Sequence, residues 1–180
     1  KDIYQAELNP GDLLERKMHG ARFVATCTCA NADVLRARHP RPCEVHAIYH
    51  GLDTDWFAPP ARPAVSPAGQ PPLMLAVGRF VEKKGFEQLI DACALLQARG
   101  VAFRTLIVGE PGPALVLVQQ RIQAHGLQAQ VQLQGVVTQD ELRGLYAQAR
   151  LFALPCQVMD DGDRDGFPNV LAESMAMGVP

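Results

Sequence analysis

The chain has no run of eighteen apolar residues, so no stretch of it is long and apolar enough to cross a bilayer as a helix. It shows no signal peptide. It also lacks an excess of positive charge: Lys plus Arg number 17, Asp plus Glu 19, and the formal net charge is −2. That excludes the polycationic surface which drives nucleic-acid binding. Two common glycine-rich phosphate cradles, G-x-x-x-x-G-K-[ST] and G-x-G-x-x-G, are both missing. The five cysteines, Cys27, Cys29, Cys43, Cys93 and Cys156, are an odd number. Cys27 and Cys29 have neither a second cysteine pair nor a spaced histidine pair to complete a zinc shell. Cys93, on an apolar helical face, and Cys27, in a strand-like run, read as small core residues. Free thiols point to a reducing compartment, the cytoplasm.

What the chain does have is apolar content. It is 48% hydrophobic over 180 residues, enough for one full domain and a piece of another. It opens at Lys1 in mid-pattern and stops at Pro180, where a further buried strand is expected, so it reads as a segment of a longer protein. Residues 12–19 have helical character, with Gly20 after the end. Arg22 to Cys27 forms a strand candidate, and Asn31 to Arg38 a short helix stopped by His39-Pro40. Glu44 to Tyr49 is the next strand. This β–α alternation favours a parallel sheet. Residues 58–72 hold six prolines and no periodicity, the composition of a linker, and Trp56 and Phe57 are expected to pin its start onto a core. His46 and His50 read as structural histidines.

From Leu73 onward the pattern is regular. Leu73 to Val77 is an unbroken apolar run, fit for a strand covered on both faces. Phe86, Leu89, Ile90, Cys93 and Leu96 mark a helical face ending at Gly100. Ala102 to Val108 is a strand. Leu115, Val118 and Ile122 face one way on a helix closed by His125-Gly126, and Val131 to Val136 is a short strand. Thr138 and Glu141 match a capping box for a helix with Leu142, Leu145, Tyr146 and Ala149 inward. Leu151 to Pro155 is the last strand. Pro168 is expected at the first position of a final helix, with Val170, Leu171, Ser174, Met175 and Met177 at helical spacing and Gly178-Val179-Pro180 stopping it. The fold class is therefore α/β, a doubly wound, mostly parallel Rossmann-like sheet built with right-handed crossovers.

Ligands bind such sheets outside the carboxyl ends of the strands. Two loops lie there. The first, from Gly78 to Gly85, carries Arg79 and Lys84, a forked donor and a compact charge that can both reach one diphosphate. The second runs from Asp165 through Gly166, Phe167 and Pro168 into Asn169 and Val170. The amino end of the helix it feeds offers unpaired N–H groups and positive dipole charge to an anion. Glu173, within that helix, can accept both hydroxyls of a ribose, and Asp165 the hydroxyls of a second sugar. Read blandly, these are an ordinary βα loop and a capped helix with two solvated acids. A sharper rival is calcium, because Asp161-x-Asp163-x-Asp165-Gly166 opens like an EF-hand loop, although its twelfth position is Ala172 where a bidentate acid is needed. A third reading is a non-catalytic Rossmann-like binding module.

The motifs taken in order, Gly78-Arg79 to Lys84-Gly85, Gly135-x-Val137 to Glu141-Leu142 and Tyr146, and Asp165-Gly166-Phe167-Pro168 to Glu173-Ser174-Met175-Ala176-Met177-Gly178-Val179-Pro180, resemble a known family. They are similar to the C-terminal half of retaining GT-B glycosyltransferases of family 4. The resemblance covers roughly residues 44–180. It implies that 1–50 close an N-terminal, acceptor-side domain, that 51–72 link, and that 73–180 bind a nucleotide sugar. Arg79 and Lys84 would neutralise the diphosphate, Glu173 would hold the ribose, and Asp165 the donor sugar. The backbone of Gly166, Phe167, Pro168, Asn169 and Val170 would line sugar and phosphates, with Val137 beside the nucleobase and Gly78 in the cation loop. The partners implied are a nucleotide-diphosphate sugar and a glycan or lipid-linked acceptor. No cofactor and no metal ion is expected, and the full enzyme is expected at the inner face of the cytoplasmic membrane, associated peripherally, in exopolysaccharide or cell-envelope synthesis. Three departures stand out: Asp165 is one methylene shorter than the family's glutamate, His50 replaces an asparagine before Gly51, and residues 108–113 lengthen a V-G-x-G-P turn.

Overall fold

A computed structural model describes residues 3, 8–38, 44–59 and 69–180. Lys1, the His39-Pro40 stop, Cys43 and the stretch 60–68 of the expected linker lie outside the described residues. The described residues form two compact units: one holds those up to Gly51 together with Val158–Pro168, the other those from Leu52 to Gln157 together with Asn169–Pro180.

In the first unit, helix α1 (Leu13–Gly20) and helix α2 (Cys29–Arg38) accompany strands β1 (Phe23–Thr26) and β2 (Glu44–Ala47). The two strands pair in parallel, Phe23 opposite Glu44 and Thr26 opposite Ala47. A small core of Met18, Ala32, Leu35 and Val45 joins them. α2 begins two residues before the expected Asn31. The cause is Thr28: its buried Oγ accepts from the Asn31 amide at 3.1 Å, a side-chain N-cap. β2 is shorter than expected, because Ile48 and Tyr49 continue the apolar run into solvent. Cys27 is only half-buried, so the core assignment holds for Cys93 and not for Cys27.

The second unit contains β3 (Leu73–Val77), α3 (Phe86–Ala98), β4 (Arg104–Val108), α4 (Leu115–Ala124), β5 (Val131–Gln134), α5 (Gln139–Gln148), β6 (Leu151–Phe152) and α6 (Asn169–Ala176). Its four strands are parallel in the order β5-β4-β3-β6. Every residue of β3 is buried, as an unbroken apolar run in a doubly covered strand requires. The strand's two-residue period splits the core cleanly. Met74 and Ala76 pack under α3 and α4 with Phe86, Ile90, Cys93, Val118 and Ile122. Leu75 and Val77 pack on the other face with Phe57, Tyr146, Phe152, Met177 and Val179. Helices thus cover both faces, and the strand order reverses between β3 and β6.

The expectations for this unit differ from the structure at the ends of elements. β4 and β5 are shorter than the runs 102–108 and 131–136, and Val136 is exposed. β6 keeps two ladder residues of the expected five. Phe57 enters the core, whereas Trp56 stays on the surface with the Arg143 guanidinium 4.3 Å from its ring centroid. Pro168 immediately precedes α6 instead of opening it, and Met175 faces solvent. The helix stop is as expected. Gly178 takes φ 75°, its amide reaches the Met175 carbonyl, and the Val179 amide reaches the Ser174 carbonyl, the paired bonds of a Schellman ending.

Candidate functional site

The reversal of strand order puts the topological switch point of the sheet between β3 and β6, at whose carboxyl ends such folds bind ligands. The chain leaves β3 at Gly78 and enters a loop containing a 3-10 turn, Glu82–Lys84. That loop is held on three sides. The Gly78 amide donates to the Val108 carbonyl at 2.9 Å, the Phe80 amide to the Glu110 carbonyl at 3.0 Å, and the Gln157 amide to the Lys83 carbonyl at 2.8 Å. Two glycines make the approach of neighbouring backbones feasible. A Cβ on Gly109 would collide with the Gly78 carbonyl, and one on Gly85 would collide with the Pro155 carbonyl; Gly85 also takes φ 68°, which other residues resist. The cation loop is therefore wedged between the ends of β4 and β6.

Within it, Lys84 folds back over the end of β3. The Cδ and Cε atoms of its stem lie 3.3 Å from where a Gly78 Cβ would stand. A side chain at position 78 would displace that stem. The lysine is half-buried, and Arg79, next to Gly78, is exposed.

α6 brings the second group of residues. The Phe152 amide donates to the Pro180 carbonyl at 2.8 Å, so the residues after α6 meet the last residue of β6. Asn169 and Val170 open the helix. Glu173 is half-buried on its inner side. The Tyr146 hydroxyl of α5 donates to Glu173 Oε2 at 2.9 Å and lies 3.3 Å from the Val170 carbonyl. Tyr146 is fully buried. Burial, the nearby Glu173 carboxylate and the hydrogen bond to it all push the phenol well above its usual value, so it remains a donor. Val137, half-buried, packs against the same core as Tyr146, just before the cap of α5.

Asp165, Gly166, Phe167 and Pro168 belong to the first unit. There Gly166 lies against the Thr28 methyl, 3.1 Å from where its Cβ would stand, and near Cys27 Sγ. Asp165 is half-buried and Phe167 exposed. The upstream acids do not build a metal cage: the Asp163 amide donates to Asp161 Oδ1 at 2.8 Å, and among the described residues no three Asp, Glu, His or Cys side chains converge. The EF-hand reading therefore finds no support in the geometry.

Sequence reasoning placed Tyr146 on the inner face of α5 as a core residue and missed its hydroxyl. The signal was available: a tyrosine among aliphatic neighbours must find a partner for its buried O–H.

The fold agrees with comparisons to known proteins. A family model, Glycosyl transferases group 1, matches residues 59–180. A glycosyltransferase assigned to colanic acid biosynthesis, WcaL of Escherichia coli (strain K12), is 37% identical over 130 residues, 72% of this chain and 31% of that protein. The amylovoran biosynthesis glycosyltransferase AmsK of Erwinia amylovora is 34% identical over 137 residues, 76% of this chain and 33% of that protein. The chain thus spans about a third of the length of these relatives. Among solved structures, Anabaena Alr3699/HepE in complex with UDP and glucose superposes with a TM-score of 0.74 at 20% identity, covering 99% of this chain and 50% of that one. The sucrose-phosphate synthase of Thermosynechococcus elongatus gives a TM-score of 0.75 at 23% identity, covering 93% and 42%. These likenesses carry the fold, and the family model, matching well over half of the chain, carries the membership: the chain belongs to the glycosyl transferases of group 1.

Proposed function

We propose that the full-length protein containing this chain is a retaining glycosyltransferase. It moves a sugar from a nucleotide-diphosphate donor to a glycan or lipid-linked acceptor in exopolysaccharide or cell-envelope synthesis, at the cytoplasmic face of the membrane. The observation that supports it best is Lys84 laid across Gly78 at the carboxyl end of β3, beside the reversal of strand order. The relatives WcaL and AmsK are assigned to the biosynthesis of the exopolysaccharides colanic acid and amylovoran. No helix among the described residues is long and apolar enough to cross a membrane.

The chemistry follows from charge. Breaking the anomeric C–O bond leaves the electron pair on the diphosphate. Arg79, Lys84 and the Asn169 and Val170 amides stabilise that charge as it develops, which makes a metal ion unnecessary. The acceptor oxygen attacks the face the diphosphate leaves, its proton passes to a phosphate oxygen, and configuration is retained without a protein nucleophile. Glu173 holds the ribose and Val137 lies beside the base. Asp165 and the backbone of Gly166, Phe167 and Pro168 are assigned to the donor sugar from sequence resemblance alone.

A thermal-shift panel of UDP-, GDP- and ADP-sugars on the full-length protein tests this reading. One nucleotide class is expected to raise the melting temperature, and Arg79→Ala is expected to remove the shift. A protein that responds to none of them is not a nucleotide-sugar enzyme of this kind.

A further inference from the structure

Glu173 has two carboxylate oxygens, and the structure accounts for one. Oε2 accepts from the Tyr146 hydroxyl at 2.9 Å. The tyrosine ring is fixed independently of that bond. It stacks edge-on to Phe57 with centroids 6.5 Å apart, tilts against Phe152 at 5.8 Å, and is wholly buried. A phenol has one proton to give, and an ionised carboxylate takes it more strongly than a neutral carbonyl does. The Val170 carbonyl at 3.3 Å is the weaker second acceptor. Tyr146 therefore ties α6 through the Glu173 side chain, with the Val170 carbonyl close by at 3.3 Å.

We propose that Tyr146 is a positioning residue: its buried hydroxyl locks one oxygen of Glu173 so that the other is presented to the ribose diol of the donor. The inference rests on the assignment of Glu173 to the ribose. Without the lock a half-buried glutamate samples several rotamers, and its bidentate grip on two vicinal hydroxyls loses the preorganisation that makes it selective. Tyr146 touches no substrate in this scheme. It sets how well the site tells a ribonucleotide from a 2′-deoxyribonucleotide.

The test uses the full-length protein and compares whichever of UDP, GDP or ADP binds with its 2′-deoxy counterpart, by calorimetry. Wild type is expected to prefer the ribose form. Tyr146→Phe keeps the ring and its contacts, which an unchanged melting profile verifies, and is expected to cut that preference by about tenfold, the low end of the effect a hydrogen bond to a charged group carries. If Tyr146→Phe weakens both nucleotides equally, or neither, the tyrosine only packs and the proposal is overturned. Glu173→Ala separates this outcome from failure of the underlying assignment. If it abolishes the preference while Tyr146→Phe leaves it intact, only the role of Tyr146 falls. If Glu173→Ala leaves the preference intact, the ribose assignment falls and the positioning role falls with it.

Discussion

Lys84 is useful because of what Gly78 lacks. With no Cβ beneath it, the lysine stem lies flat on the backbone at the end of β3, so the ammonium is carried by a braced chain. Lys84→Ala in the full-length enzyme should lower the transfer rate by about a hundredfold, the loss typical of one electrostatic donor to a developing oxyanion. A steady-state assay that finds the rate unchanged removes Lys84 from the mechanism. Gly109 serves a different end. Its missing side chain lets the β4 exit close on the Gly78 carbonyl, and the collision is with backbone that cannot swing away. Gly109→Ala should cost about 1–3 kcal/mol, the range for forced overpacking, read as a lower urea midpoint; a midpoint equal to wild type would show that the two loops separate freely.

The helices on the two faces are tied down by different means. α5 starts with a complete capping box: the Glu141 amide donates to Thr138 Oγ1 at 3.2 Å, and the Thr138 amide donates to Glu141 Oε2 at 2.8 Å. Thr138→Ala should therefore lower stability by about 1 kcal/mol, and because α5 carries Tyr146, it should also weaken nucleotide binding modestly. Equilibrium unfolding and calorimetry on the same variant check both. On the opposite face α3 and α4 are clamped by Asp91, which takes a bidentate fork from Arg121 at 2.7 Å with His125 Nε2 at 3.2 Å. The Arg121 hydrogen bond is the main reason the Asp91 carboxyl is held below its usual range, while burial opposes it. The bonds from the Thr138 backbone and side chain lower Glu141 likewise. Both folded pKa values are depressed, so both groups add stability above the ordinary carboxylate range and lose it as pH falls through the folded values. Urea midpoints should be flat near neutrality and drop in the acid range, and Asp91→Asn should make the drop shallower. An acid profile identical to wild type would show that the clamp contributes nothing.

Taken whole, the chain covers about a third of the relatives it matches, and the site proposed for a nucleotide diphosphate lies at the carboxyl edge of one parallel sheet. Isolated residues 1–180 should bind a nucleoside diphosphate weakly and transfer no sugar, because acceptor recognition is expected elsewhere in the full-length protein. Turnover by the isolated chain in a radiolabelled donor assay would contradict this. Chelation with EDTA should leave the rate of the full-length enzyme unchanged, since the proposed scheme gives the leaving-group charge to fixed cations. A rate restored only by added magnesium would refute the metal-free scheme.

Periodicity and turn chemistry were readable from residue order because they are local. The all-buried run Leu73–Val77, the Thr138–Glu141 box and the Gly178 stop each depend on neighbours within one element, and each appears as the residues imply. The lengths of the strands were not readable. β6 keeps only Leu151 and Phe152 because its pairing depends on where β3 lies beside it, and Ile48, Tyr49 and Val136 look like strand residues but face solvent. The cations and carboxylates assigned to the proposed nucleotide site were legible by type and spacing. Their supports did not, because Lys84 meeting Gly78, Gly109 closing on the Gly78 carbonyl and Tyr146 reaching across 27 residues to Glu173 are long-range contacts that exist only once the sheet is wound. Chemistry is carried by residues that can be read singly; the precision with which it is aimed comes from packing between segments distant in the chain.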